Sequence, residues 1–111
     1  MLQIIGTKDN SDYRKAVRFC KEHRISFQEV NTKEYKLSKR ELDSIFSSLP
    51  EAEDAIDKNS AFYKKNGYAW REYNPRKEVE EHQELLFNPI LRNKGKVVFG
   101  FDEAFLKESG V

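Results

Sequence analysis

Nucleophilic chemistry in this chain has one thiol to draw on, Cys20, and a thiol becomes reactive when a helix N-terminus or a nearby cation lowers its pKa. Cys20 falls instead on the apolar stripe of a helical pattern, roughly three turns' worth of sequence beyond the preceding loop, where a free cysteine behaves as a small buried hydrophobe. A lone cysteine also has no internal disulfide partner. Ser11 stands beside Asp12 without a histidine, so its expected role is a helix cap. His23 and His82 are far apart, and neither has a cysteine or carboxylate at ligand spacing, so no metal is expected. Glu80-Glu81 sits in a segment rich in Lys and Glu and reads as a solvated helix face, not an acid/base pair.

The densest pattern runs from 58 to 77. Lys58, Lys64, Lys65, Arg71, Arg76 and Lys77 face a single acid, Glu72, and alternate with Phe62, Tyr63, Tyr68, Trp70 and Tyr73. Such a stretch can stack bases and hold phosphates, or offer a Trp/Tyr/Arg hot spot to a protein. A small domain needs its aromatics inside, so Phe62, Trp70 and some of the tyrosines are expected to cover the sheet while the lysines face water. Trp70, Arg71 and Tyr73 remain the candidate partner surface.

The elements that must position these residues follow from periodicity. Leu2 to Ile5, ended by Gly6, and Ser26 to Val30 read as strands. Between them Tyr13, Ala16, Val17 and Cys20 recur at helical spacing, with Phe19 widening the stripe and Arg14, Lys15, Arg18, Lys21 and Glu22 elsewhere, and Asn10, Ser11 or Asp12 can cap that helix. Strand, helix and strand within about thirty residues make a βαβ unit, whose strands should be parallel with a right-handed crossover. Ser38-Lys39-Arg40-Glu41 matches a capping box for a helix ending near Pro50. A short helix is expected from Asn59 to Asn66, stopped by Gly67. Another is expected from Asn74-Pro75 through Val79, His82, Leu85 and Leu86. Ile90 to Arg92, a turn at Asn93-Lys94-Gly95 and Lys96 to Phe99 form a hairpin, and Asp102 caps a last helix. The order β-α-β, helices, β-β-α predicts an α/β, thioredoxin-like (glutaredoxin-like) sheet of about four mixed strands flanked by helices. One domain spans 1–111, with a helical insert roughly at 38–88 after the second strand.

Composition narrows the function. The 111 residues are 38% hydrophobic and 35% charged, with a mean hydropathy of −0.83. The 20 Lys and Arg against 19 Asp and Glu leave a net charge of +1, so no global field draws the protein to nucleic acid or an anionic membrane. No stretch approaches the roughly 18 apolar residues of a spanning helix. The start MLQIIGTKDN has no charged region followed by a long apolar one, and a cytoplasmic protein is expected.

The chain resembles the arsenate reductase (ArsC)/Spx family. The resemblance rests on Ile4-Ile5-Gly6-Thr7-Lys8 leading into Arg14-Lys15-Ala16, then Leu37-Ser38-Lys39-Arg40-Glu41-Leu42, Ile56-Asp57-Lys58-Asn59, Asn88-Pro89-Ile90 and Gly100-Phe101-Asp102-Glu103. It covers essentially the whole chain in order and implies a thioredoxin-like fold. It also implies a thiolate at the end of the first loop, but that position is Asn10, and the second cysteine of Spx-type members matches Tyr13. The three anion-binding arginines of arsenate reductases match Asp57, Asn88 and Phe101. Loss of nucleophile and clamp together removes both the attack and the charge stabilisation. Asp9 and Asp12 further repel an oxyanion, and Arg14, which matches a retained arginine, is expected to pair with one of them. The resemblance implies a cis Asn88-Pro89 bond beside the loop, with Asn88 facing Asn10.

The expected function is therefore a non-catalytic binding or regulatory protein without cofactor. Spx resemblance points to a protein partner, with the transcription machinery a candidate. The alternative is a related oxidoreductase, or a small-ligand protein using a remnant cleft of Asn10, Ser11, Tyr13, Asn88 and Pro89. Thr7 and Lys8 are further candidate ligand contacts, and glutathione is a partner only under this alternative. Nucleic-acid binding through 58–77 is the weakest reading, and no membrane partner is expected.

Overall fold

The chain, described at residues 1–110 by a computed structural model, runs β1 (Leu2–Gly6), α1 (Ser11–Glu22), β2 (Phe27–Asn31), α2 (Lys39–Ser47), α3 (Ala61–Lys65), α4 (Pro75–Glu81), β3 (Ile90–Asn93), β4 (Lys96–Phe99) and α5 (Glu103–Ser109). Single 3-10 turns lie at Ala52–Ala55, Tyr68–Trp70 and Gln83–Leu85. The described chain divides into two compact units, one of residues 1–36 with 88–110 and one of residues 37–87.

The first unit holds the whole sheet, in the order β2-β1-β3-β4. β1 and β2 are parallel, as the βαβ spacing predicts, whereas β3 runs antiparallel to both β1 and β4. In β1 every residue but Gln3 is buried, as expected of a central strand. Leu2, Ile4 and Leu91 meet Tyr13, Ala16, Phe19 and Cys20 of α1 and Leu106 of α5 in one core. Each such large side chain contributes about 1.5–3 kcal/mol on burial. Lys94 and Gly95, both at positive φ (51° and 77°), make the two-residue hairpin turn whose twist matches the strands. Asn10, not Ser11 or Asp12, caps α1, and Asp102 caps α5 through the Phe105 amide.

The second unit is helical. Ser38 and Glu41 form the expected capping box at α2, Ser60 caps α3, and Asn74 caps α4 ahead of Pro75. Gly67 follows α3 in the left-handed region at φ 68°. α4 is shorter than its apolar spacing predicts. It ends at Glu81 because the chain must become extended by Leu86, which bridges Ile56, and because the Gln83 amide side chain bonds both backbone groups of Leu37 (2.8 and 2.9 Å). Arg76 ties α4 to α2, reaching Asp43 at 2.7 Å and the Lys39 carbonyl at 3.1 Å while also pairing with Glu80 at 2.8 Å.

Candidate functional site

The loop from Gly6 to Asn10 is built by short-range chemistry and then locked by one distant residue. Asn10 turns the chain into α1, and its Oδ1 accepts from the Asp12 and Tyr13 amides at 2.8 and 3.0 Å. Its own amide donates to the Thr7 carbonyl at 3.2 Å. From the far side of the sequence, Asn88 Oδ1 accepts from the Thr7 amide at 3.1 Å, and Asn88 Nδ2 donates to Thr7 Oγ1 at 2.6 Å. The approach is so close that a Cβ on Gly6 would collide with the Asn88 amide group, so only glycine fits there. The Asn88-Pro89 bond is cis, as the resemblance implies, and Pro89 is buried. The Thr7 donor and acceptor take both ends of the Asn88 amide.

The charges of the loop are also spoken for. The Thr7 hydroxyl donates to Asp9, and Lys33 reaches the same carboxylate at 3.1 Å. Both interactions, the Thr7 bond foremost, hold Asp9 below the usual carboxylate range. Arg14 pairs with neither Asp9 nor Asp12, which corrects the sequence reading. Its Nη1 donates to the Lys8 carbonyl at 2.8 Å, so its local role is to brace the loop backbone. Tyr13 is buried to 1% exposure, and its hydroxyl donates to Glu29 at 2.9 Å. Burial, helped by the Glu29 carboxylate, raises its phenol far above the ordinary range. Tyr13 is thus a core residue with a satisfied hydroxyl. Cys20 is fully buried, and desolvation pushes its thiol up to about 11, the opposite of what a nucleophile needs.

What the loop can do follows from these bonds. A helix start can hold an oxyanion on its free amides, but here a side-chain oxygen occupies the Asp12 and Tyr13 amides. Evicting that cap costs about 1 kcal/mol before any ligand binds. Two of the positions that the resemblance matches to anion-binding arginines are engaged elsewhere. Asp57 Oδ1 accepts from the Asn59 amide at 2.9 Å, and the Phe101 ring packs edge-on against Phe19 at 6.0 Å.

A hollow of about 420 Å³ lies beside the loop, lined from α1 and β2. Of the sequence-predicted contacts it includes Lys8, Tyr13 and Arg14; Thr7, Asn10, Ser11 and Asn88 are not in its lining. Arg18, Lys21 and Glu29, which sequence reading left out, do line it. Arg18 and Lys21 stand four and seven residues after Arg14, a spacing that places all three on one helix face.

In the second unit Trp70 is 91% exposed, which corrects the expectation that it covers the sheet. Beside it, Arg71 lies 4.2 Å over the Tyr68 ring and 3.5 Å from Glu78. Tyr73 does not share that exposure. It packs edge-on against Tyr68 at 5.0 Å, its hydroxyl is buried without a hydrogen-bond partner among the described residues, and burial pushes its phenol up to about 12. Tyr63 and Tyr68 are buried in the same cluster. Lys58 pairs with Glu53, Arg71 with Glu78, and Arg76 with Asp43 and Glu80, so acids from outside the stretch neutralise half of its cations. His23 stacks on Phe19 at 4.1 Å and His82 lies tilted against Phe62 at 5.1 Å, each serving as an aromatic neighbour.

No protein-family model matches the chain, and no curated protein matches it at a significant level. Solved structures do. The chain is similar to a YffB protein at 12% identity and a TM-score of 0.85, with 100% of both chains covered. It is similar to an arsenate reductase from Vibrio cholerae at 19% identity and a TM-score of 0.80, covering 96% of this chain and 95% of that one. It is also similar to an arsenate reductase (ArsC) related protein from Brucella melitensis, at 20% identity and a TM-score of 0.72, covering 96% and 92%. At such identities the likeness shows the fold. The chain has the α/β thioredoxin-like fold seen in ArsC structures, the fold that its element order and its resemblance predict.

Proposed function

We propose that this chain is a non-catalytic binding protein on an ArsC-type scaffold, with regulation through a protein partner as its task. The observation that carries the reading is Asn10, whose side-chain oxygen fills the pair of amides where the resemblance places the attacking thiolate and its oxyanion. Arsenate reduction needs a sulfur atom to attack arsenic and positive charge to hold the anion. Position 10 supplies no sulfur, and Cys20 is buried with a raised pKa. The assay is glutathione-coupled arsenate reduction by the unmodified chain and by Asn10→Cys. Both should run at the background rate, the variant because Asp57, Asn88 and Phe101 still provide no clamp. Turnover by the unmodified chain would overturn the reading, and turnover by Asn10→Cys would overturn the argument from the missing clamp.

The exposure of Trp70 next to Arg71 supports the second half of the proposal, since an exposed Trp with a neighbouring Arg is the composition of a binding hot spot. Resemblance to Spx-type members makes the transcription machinery the first partner to test. A ligand in the remnant cleft, glutathione included, draws less support, because Asn10, Thr7 and Asn88 already bond one another's loop. Nucleic-acid binding through 58–77 is weakened by the ion pairs of Lys58, Arg71 and Arg76.

A further inference from the structure

The hollow beside α1 and β2 has the size of a small-molecule site, about 420 Å³ against the 300–1,000 Å³ usual for such sites. Its two kinds of wall differ in chemistry. Val17, half-buried against the core of the first unit, supplies an apolar surface, and the buried Tyr13 lies behind it. Around that surface stand Lys8 from the loop and Arg14, Arg18 and Lys21 from a single face of α1. The acids in the lining are Glu22 and Glu29, and Glu29 already accepts the Tyr13 hydroxyl at 2.9 Å.

Four cations against two carboxylates make this a positive spot on a chain whose net charge is only +1. Among the described residues none of the four forms an ion pair, whereas Lys33, Lys58 and Arg76 each reach a carboxylate at 3.2 Å or less. Arg14 uses Nη1 on the Lys8 carbonyl and keeps the rest of its guanidinium for another acceptor. An inorganic anion would leave the apolar wall uncovered, and a neutral apolar molecule would leave the cations unmatched.

We infer that this hollow binds a small amphipathic anion, with a flat apolar body against Val17 and an acidic group toward Arg14, Arg18 and Lys21. The inference goes beyond the binding function proposed above and does not depend on it, because Asn10 and Asn88 do not line the hollow.

The test is a heteronuclear NMR titration of the full chain with 8-anilino-1-naphthalenesulfonate, an aromatic body carrying one sulfonate. Saturable shifts are expected at Lys8, at Tyr13 through Glu22 and at Glu29, and added salt should weaken them. Arg18→Glu and Lys21→Glu lie on the exposed face of α1 and keep a good helix former, so both should fold. Each should bind about fivefold more weakly, as loss of one exposed ionic contact allows. The neutral N-phenyl-1-naphthylamine should bind more weakly than the sulfonate. Shifts confined to other regions, unchanged affinity in both variants, or equal binding of the neutral compound would each overturn the inference.

Discussion

Replacing Asn10 by Ala tests whether its side chain is what closes the loop. The substitution removes one acceptor that serves two amides, those of Asp12 at 2.8 Å and Tyr13 at 3.0 Å, at the first turn of α1. Loss of an Asn cap costs about 1 kcal/mol, within a range of 0.5–2. α1 carries Tyr13, Ala16, Phe19 and Cys20 into the core, so the cost should reach the stability of the first unit and not stay at a frayed end. For a domain near this size, 1 kcal/mol lowers the thermal midpoint by about 4–8 °C. Circular dichroism melting reads that shift, and hydrogen exchange at the Asp12 and Tyr13 amides reads its local origin as faster exchange in the variant. Asn10→Asp should restore most of the midpoint, since aspartate caps as well as asparagine and its charge suits the positive helix end. An unchanged midpoint and unchanged exchange in Asn10→Ala would refute the reasoning, as would an Asp variant as damaged as the Ala one.

Other substitutions probe other parts of the chain. Cys20 titrates near 11 when folded against 9.0 ordinarily, so the unfolded chain loses its proton first and stability should fall as pH rises from about 9 to 11. Cys20→Ala should remove that component of the alkaline decline; an identical pH profile in denaturant titrations would sink the argument, as would fast labelling of the native thiol by a disulfide reagent at pH 8. Gly6→Ala places a methyl group against the Asn88 amide and should cost about 1–3 kcal/mol in chemical denaturation, a cost that vanishes only if the Thr7–Asn88 bonds are not formed in solution. Trp70→Ala should leave stability within about 0.5 kcal/mol because the side chain is 91% exposed. Combined with Arg71→Ala it should weaken binding to the proposed partner from the transcription machinery, whereas Asn10→Ala should not, and equal binding by both variants would remove the proposed partner surface.

Local rules made much of this fold legible. The near-continuous apolar run of β1, the stripe Tyr13-Ala16-Cys20 and the Lys94-Gly95 turn each encode a backbone shape within a few residues, and the structure forms all three. Cap positions at Ser38, Asn74 and Asp102 were legible for the same reason, since a cap bonds amides only two or three residues on. The end of α4 was not, because it depends on Gln83 finding Leu37 and on Leu86 finding Ile56. Nor was the exposure of Trp70, since an aromatic residue reads alike in sequence whether it covers a core or faces water.

The same division runs through the candidate site. Residue types alone place an amide side chain at position 10, at a helix start, and chemistry forbids that residue to act as a redox nucleophile. Which acceptor Asn10 would serve, that Asn88 would bond Thr7 from 81 residues away, that Arg14 would brace the Lys8 carbonyl and that Tyr13 would reach Glu29 were choices among many polar partners. Periodicity carries no information on such choices. They are made when the parallel strand pair and its helix bring β2 alongside the loop, because hydrogen bonds and charges act over a few ångströms of space and take no account of separation along the chain.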